Sequence, residues 1–579
     1  MSGKTFFHIV LQGDGYMIPF NVKKVPFSAG GSWMAFSILD ECWAPDGIVA
    51  LYMRSHHDKF QNLFRIIPLA DGRKADCRLN ATPSCLQIMG PDESLIDIVF
   101  DGTRTVRIRG KGMALRLEAI PKSLVYSQCP GQVTFNMRPA LRRYALQSIR
   151  GSMQIDDGTD GAAGACFSAE DNDGEWEIAI DEFWSTWEPR DRSPFDTVRT
   201  QTADAFQQFL DSLPPGPEEF AATRELAGYV NWSAIVEPCG LIKRPAMLMS
   251  KNWMCNVWSW DHCFNAMALA AGNPKLSLDQ FMVVADHQDE FGCFPDAIND
   301  THIHYNFCKP PVHGWTISEL LHRFKQPVNN DTLQTLYRIL CAQTEWWLTH
   351  RRIKGQELPF YLNGNDSGWD NSTMFDSGVP LISPDLSALL VMQMDVLSDL
   401  AAQLDRPDER ITWKEKADRL LQALTSELWR GDHFTARLAD GTDVPSQSLI
   451  PNVSILLGKR LPEEIQNALC ASIQTFLTDW GLATEHIESD KYESDGYWRG
   501  SIWAPPTYMI VSGLEACGHI DLAIEISERF CRLCATSGFA ENFNALTGAP
   551  QWDPAYTWTS SVFLLLAEKL STTYRKETP

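Results

Sequence analysis

Two short islands far apart in the chain set carboxylates among aromatic, amide and glycine residues. The first is Ser367-Gly368-Trp369-Asp370-Asn371-Ser372. The second is Ala540-Glu541-Asn542-Phe543-Asn544, with Gln551-Trp552-Asp553 just beyond it. Cleaving a glycosidic bond takes one carboxyl group as proton donor and a second as base or nucleophile. An apolar wall such as Trp369 raises the pKa of the acid beside it into the useful range. Taken singly, Asp in a Gly-Trp-Asp-Asn turn reads as readily as a turn or cap residue. The recurrence of such islands in one half of the chain favours a site.

Three more islands fit the same pocket. Trp258-Ser259-Trp260-Asp261-His262 sets a carboxylate against two indoles. Lys309-Pro310-Pro311-Val312-His313-Gly314-Trp315 is a rigid loop ahead of a helix. Tyr497-Trp498-Arg499-Gly500-Ser501-Ile502-Trp503 places an arginine between rings. Of the 20 tryptophans, 15 follow residue 230, many of them in loops beside polar groups. Indole faces stack on pyranose rings while neighbouring Asp, Asn and Arg engage the hydroxyls. Trp346 and Trp347 sit in mid-helix and read as core.

The elements that must hold these loops change along the chain. From Phe6 to Trp187, short strands between Gly, Pro and Asp clusters predict a sandwich. Thr105–Arg109 and Ala114–Glu118 alternate at period two around Gly110-Lys111-Gly112, which predicts a hairpin. Glu177–Asp181 is another strand. Pro189 to Pro217 reads as a connection containing a helix, Thr197–Leu213. From about Phe220 the period turns helical. Ser383-Pro384-Asp385 is a helix start with Ser383 as N-cap and proline at the first position. Leu386, Leu389, Leu390, Met394, Leu397 and Leu400 follow at helical spacing. Further runs fit helices over Ile317–Phe324, Leu333–His350, Thr412–Leu428, Pro462–Leu477, Ile520–Ala535 and Trp558–Leu570. About a dozen helices suit a toroid of helical hairpins, whose loops converge at one end. The expected division is a β-sandwich over 1–190, a linker with a helix over 191–225, and a helical catalytic domain over 226–579.

Composition narrows the partners. At 579 residues two or more domains are the default. A net charge of −23 argues against nucleic acid or an anionic membrane surface. Met1 to Phe20, with Lys4, Asp14 and the run Gln12-Gly13-Asp14-Gly15, does not read as a signal peptide, and no apolar stretch is long enough to span a bilayer. The 15 cysteines are odd in number and scattered, which fits core thiols in a reducing, cytoplasmic setting. Cys531-x-x-Cys534 has no second pair to make a metal site. Asn231-Trp232-Ser233 is a glycosylation triplet that carries little weight without an export signal.

Ser367 to Ser372, Tyr497 to Trp503, and Glu541-Asn542-Phe543-Asn544 with Thr547-Gly548 resemble, in order, the signatures of glycoside hydrolase family 63. That family holds processing α-glucosidases, bacterial α-glycosidases and mannosylglycerate or glucosylglycerate hydrolases; trehalase family 37 shares a similar Ser-Gly-Trp-Asp segment. The resemblance spans roughly Trp253 to Leu566. It implies an (α/α)6 barrel behind the β-rich domain, α-linked substrates, an inverting mechanism, Asp370 as general acid and Glu541 as general base. Two departures stand out: Asp366 lies where the family often has Glu, and only Arg499 represents the arginines that surround trehalase sites, which disfavours trehalose.

On this reading Trp258, Trp260, Asp261, Trp369, Trp498, Arg499, Trp503 and Trp552 grip the sugar, and the Lys309–Trp315 loop, with His313 and Trp315, borders the aglycone. No metal or organic cofactor is demanded, and the partner is a carbohydrate. Inversion requires the two carboxyls to stand roughly 6.5–9.5 Å apart. Glu493 and Asp495 read as solvated acids in a polar segment, Glu485–Asp495, and Asp553 as a supporting residue or weaker rival base. Two other classes remain: a sugar epimerase using His302, His304 or His313, and a non-catalytic carbohydrate-binding homologue, which would have lost one of the two carboxylates.

Overall fold

The computed structural model describes residues 7–9, 17–45, 47–159, 162–170 and 173–573. Lys4, Phe6 and the run at 12–15, named above, lie outside them. Among the described residues, sixteen strands between Phe7–Ile9 and Glu175–Phe183 form two sheets of nine and seven strands. The sheets pack face to face, as the edge-on contacts of Phe64 with Phe135 and Tyr144 show. Alternation on both inner faces buries Val106 and Ile108 from one sheet and Leu115 and Leu117 from the other.

The expected hairpin is not formed. Strand Thr105–Lys111 pairs with Leu95–Phe100 and Glu175–Phe183, whereas Ala114–Ala119 pairs with Gln61–Ala70 and Gly164–Ser168 in the other sheet. Gly112, at φ +74, turns the chain across the sandwich instead of back alongside itself. Two alternating strands joined by a tight turn satisfy their apolar faces equally well side by side or face to face, and here burial between sheets wins.

Helix Phe195–Ser212 lies against the nine-stranded sheet, with Arg109 reaching Asp196 and Thr202 bonding the Phe100 carbonyl. Beyond it the chain is mainly helical, and the predicted helices appear close to their expected positions, the largest difference being Pro407–Glu427, which starts five residues ahead of the expected Thr412. Asn273 and Asn329 cap helices Pro274–Ala285 and Asn330–His350 through their side chains. Ser383 occupies the cap position of Pro384–Gln403 without capping it, because its hydroxyl turns to the buried carboxylate of Asp385. Asn231 is fully buried and bonded to Ser560 and Ser561, which closes that triplet to glycosylation. Cys531 and Cys534 are buried in helix Ile520–Ser537 with their thiol pKa values pushed up by burial. Among the described residues no helix is long and apolar enough to cross a membrane.

Candidate active site

Asp370 is presented by a single helical turn, Gly364–Ser367, capped by the Asn363 side chain and ended by Gly368 at φ +77. A β-carbon at Gly368 would stand 2.6 Å from the Trp260 ring, so both the conformation and the space require glycine. Behind this turn Asp366, fully buried, accepts from Arg351 at 2.9 Å and from the amides of Leu362 and Cys308. It fixes the turn rather than facing the pocket.

Lys309 Nζ lies 3.8 Å from Asp370 and 3.4 Å from Asp296, and donates to the Asn365 carbonyl at 3.0 Å. Asp296 precedes the middle strand of a small ladder, Val257–Trp258, Ala297–Ile298 and Ile303–His304. Asp261 opens helix Asp261–Leu269. Burial raises the Asp261 pKa to about 8 despite Lys309. Burial likewise raises Asp370 and Asp296, again against the pull of Lys309. Burial opposes the charge on Lys309 itself, but Asp370, Asp296 and Asp261 outweigh it and keep the amine cationic.

Glu541 adjoins a second small ladder, Asn542–Phe543 with Pro550–Gln551. Its amide donates to the Asp553 carbonyl at 2.7 Å, and its own carbonyl accepts the Trp558 indole at 3.3 Å. The Tyr497 hydroxyl donates to Oε1 at 2.7 Å. Burial pushes Glu541 up to about 8; the Tyr497 donor pulls it down and the charge of Asp553 pushes it further up. The Tyr497 phenol is itself raised, by burial first and then by Glu541, Asp370 and Asp261. Three carboxyls, from three distant stretches of sequence, thus act on one hydroxyl.

A layer of indoles adjoins these acids. Trp498 stacks on Trp503 at 3.9 Å and 7°, with Trp369 at 4.8 Å and Trp260 at 6.2 Å. Trp503 donates to the Tyr497 carbonyl. Trp552, 58% exposed and at φ +61, turns an edge to Tyr497. A non-glycine residue in that conformation is strained and persists only where its surroundings impose it.

The other expected residues divide. Arg499 bonds the Asn371 carbonyl and pairs with Asp376 at 2.7 Å, bracing the Asp370 turn from outside. Trp258 is half-buried in the first ladder. Trp315 is buried in helix His313–Arg323 against Phe264 and Tyr508. His313 has both ring nitrogens engaged, by the Ser259 carbonyl and Gln343, and burial lowers its pKa to about 4. His302 and His304 stack on each other instead, with His302 beside Asp58.

Glu493 and Asp495 are exposed. The segment is not uniformly solvated, however: Glu485 is buried and accepts from Thr373 and Ser489. Asp553 is fully buried and holds five backbone or side-chain donors within one loop cluster. Sequence reasoning passed over Asp296, the charge role of Lys309, and Tyr497.

Removing the Tyr497 hydroxyl has a defined sign. The donor favours ionised Glu541, so Tyr497→Phe raises the Glu541 pKa above about 8. With Glu541 acting as a base, the acid limb of the kcat/KM profile then moves to higher pH, measured across pH 5–10 with the parent alongside.

Comparison with known proteins shows the family of the helical part. The sequence profile of the mannosylglycerate hydrolase MGH1-like glycoside hydrolase domain matches residues 254–559. This span contains every island above, and the chain belongs to that family of glycoside hydrolases. The mannosylglycerate hydrolase of Rubrobacter radiotolerans is 20% identical over 435 residues, covering 57% of this chain and 98% of its own length. The structure of a family 63 mannosylglycerate hydrolase from Thermus thermophilus, in complex with glucose, superposes with a TM-score of 0.52 at 17% identity. It covers 59% of this chain and 99% of its own. A bacterial glucoamylase complexed with acarbose superposes over 97% of this chain and 96% of its own, with a TM-score of 0.58 at 13% identity. The glucoamylase likeness therefore extends over the strand-rich third as well as the helical part.

Proposed function

We propose that this glycoside hydrolase cleaves an α-glycosidic bond in a small α-linked glycoside or oligosaccharide with inversion, Asp370 donating the proton and Glu541 activating water. The observation that carries this reading is the Tyr497 hydroxyl bonded to Glu541 at 2.7 Å beside the Trp498–Trp503 stack, with the charges of Asp370 and Asp261 acting on the same phenol. The helical residues 226–579 form the (α/α)6 barrel of this reading, 191–225 the linker and 1–190 the β-sandwich.

Asp370, raised by burial, would protonate the leaving oxygen as the bond breaks. Glu541, whose ionised form Tyr497 stabilises, would take a proton from water attacking the opposite face of the anomeric carbon. Trp552, the exposed indole of the group, would carry a sugar face, with Trp369 and Trp498 buried as its support, and Asp261 and Asp296 would meet the sugar hydroxyls. The relatives named for mannosylglycerate put that compound, with glucosylglycerate, first in any substrate panel.

One observation favours exchanged roles: Lys309 stands 3.8 Å from Asp370, where it favours the ionised carboxylate expected of a base. The two readings part on glycosyl fluorides, whose leaving group needs no protonation. If Asp370 is the acid, Asp370→Asn keeps substantial activity on the fluoride while Glu541→Gln does not; the reverse pattern exchanges the roles. Proton NMR of the first-formed anomer tests the stereochemistry. Release of the β-anomer from an α-glycoside is the expected result, and release of the α-anomer refutes inversion.

A further inference from the structure

The strand-rich half reaches the catalytic centre by a short route. Arg54, on strand Ala50–Ser55, is 2% exposed and leaves its own sheet to donate to the carbonyls of Asn252 at 2.7 Å and Lys251 at 3.3 Å. That loop carries the residues that hold Asp553. Ser250 and Asn252 donate to its Oδ1 at 2.8 and 3.1 Å, and the amides of Trp253 and Met254 approach Oδ2 at 3.4 Å. Asp553 in turn accepts the Glu541 amide. The chain of contacts from Arg54 to the Glu541 backbone therefore has only two residues in it.

The Arg54 site is expensive to maintain. Its guanidinium is buried against carbonyls rather than a carboxylate, and burial pulls its pKa down to about 10. Lys251 shares the seam with its pKa lowered by burial to about 7, and His56 beside it is held neutral, its pKa pushed well down by burial and by Arg54 and Lys251, while Cys255 and Asp553 favour the charge on Arg54. Packing alone would be served by an apolar side chain. A planar fork that spans two successive carbonyls sets the loop in one position. Lys251 donates to Ser28 and Ser32, and Asn252 to the Lys24 carbonyl, so the same loop is pinned to the strand-rich half at three further points.

We propose that Arg54 is a positioning residue for Glu541, acting through the Ser250–Met254 loop and Asp553. The strand-rich half is thereby part of the catalytic apparatus rather than an appendage. The inference rests on the assignment of Glu541 to the catalytic pair. A displaced base costs turnover more than binding, since the sugar is gripped by other groups.

On any α-glycoside that the enzyme cleaves, Arg54→Met lowers kcat by about tenfold or more with KM within about twofold of the parent. Arg54→Lys, which keeps the charge but grips only one carbonyl, recovers part of that loss. Arg104→Gln removes the Arg104–Glu237 pair at the same seam without touching the loop, and leaves kcat unchanged. If Arg54→Met does not fold, Arg54→Lys against Arg104→Gln carries the test at matched Tm. A parental kcat in either Arg54 variant overturns the proposal, as does an equal loss in Arg104→Gln. Glu541→Gln is measured alongside: if it stays active the site assignment itself has failed, and if it is dead while Arg54→Met is normal only the positioning role falls.

Discussion

Glu541→Gln and Asp370→Asn each lose about 10²–10⁴-fold in kcat on an unactivated α-glycoside while remaining folded. The loss follows from the chemistry: an amide neither gives up a proton at these pH values nor takes one from water. The folded state should gain from the Glu541 change. Burial raises the folded pKa of this carboxyl from its ordinary value to about 8, so the native protein holds its proton over a range where the unfolded chain has lost it. Its contribution is thus most favourable at low pH and is lost progressively as pH rises from about 4.5 to about 8. Glutamine carries no such charge, and Glu541→Gln is expected to melt at or above the parent temperature at pH 8. Calorimetry at pH 5 and pH 8 checks this; a variant that melts well below the parent at both values would mean that the carboxylate is structural.

Trp498→Ala is expected to cost about 3–5 kcal/mol and to abolish activity together with stability. Trp498 is 1% exposed, lies face to face with Trp503 and borders Trp369 and Trp260. Its amide donates to the Asn371 side chain, which also holds the Gly496 carbonyl. Removing the ring empties the space between the Asp370 turn and the Tyr497 turn, so both turns lose their common support. Chemical denaturation gives the stability, and kcat/KM on the best substrate gives the function. Trp498→Phe, which refills part of the space, should recover part of each.

The helices were legible because they are long and amphipathic: Leu386 to Leu400 and Leu333 to His350 leave no other way to bury their apolar faces. The Gly-Trp-Asp and Tyr-Trp-Arg islands were legible because indole, glycine and carboxylate seldom crowd together without a steric or chemical reason. The hairpin at Gly110 to Gly112 was not, because alternation marks which face is buried and says nothing about which strand lies alongside. Asp296 was not, because it stands on a ladder whose strands are two residues long, too short to leave a period. The closure of His313 and Trp315 into the core was hidden for a related reason. Both sit in the first turn of a helix, and only the arrival of Gln343, Phe264 and Tyr508 from elsewhere decides which way that turn faces.

His57, Cys239 and Asp300 bring their ligand-type atoms within 4.8 Å of one another, as a cation site would. The Arg142 guanidinium already lies there, 3.3 Å from Asp300. Burial opposes charge on His57, but its hydrogen bond to Asp300 and the Glu182 carboxylate 3.3 Å from its other nitrogen hold it protonated up to about 10. The cluster is an ion-pair knot between the strand-rich half and the loop that carries Asp296.

The cysteines divide the molecule in a way that their number alone does not suggest. Cys42 and Cys129 are the two exposed thiols among the described residues, and both belong to the strand-rich half; every cysteine from Cys166 onward is buried or half-buried. A maleimide or an oxidant therefore meets the strand-rich part first. Dyes can be placed there without engineering, and chains become linked to each other through that part before the half-buried thiols of the helical part react.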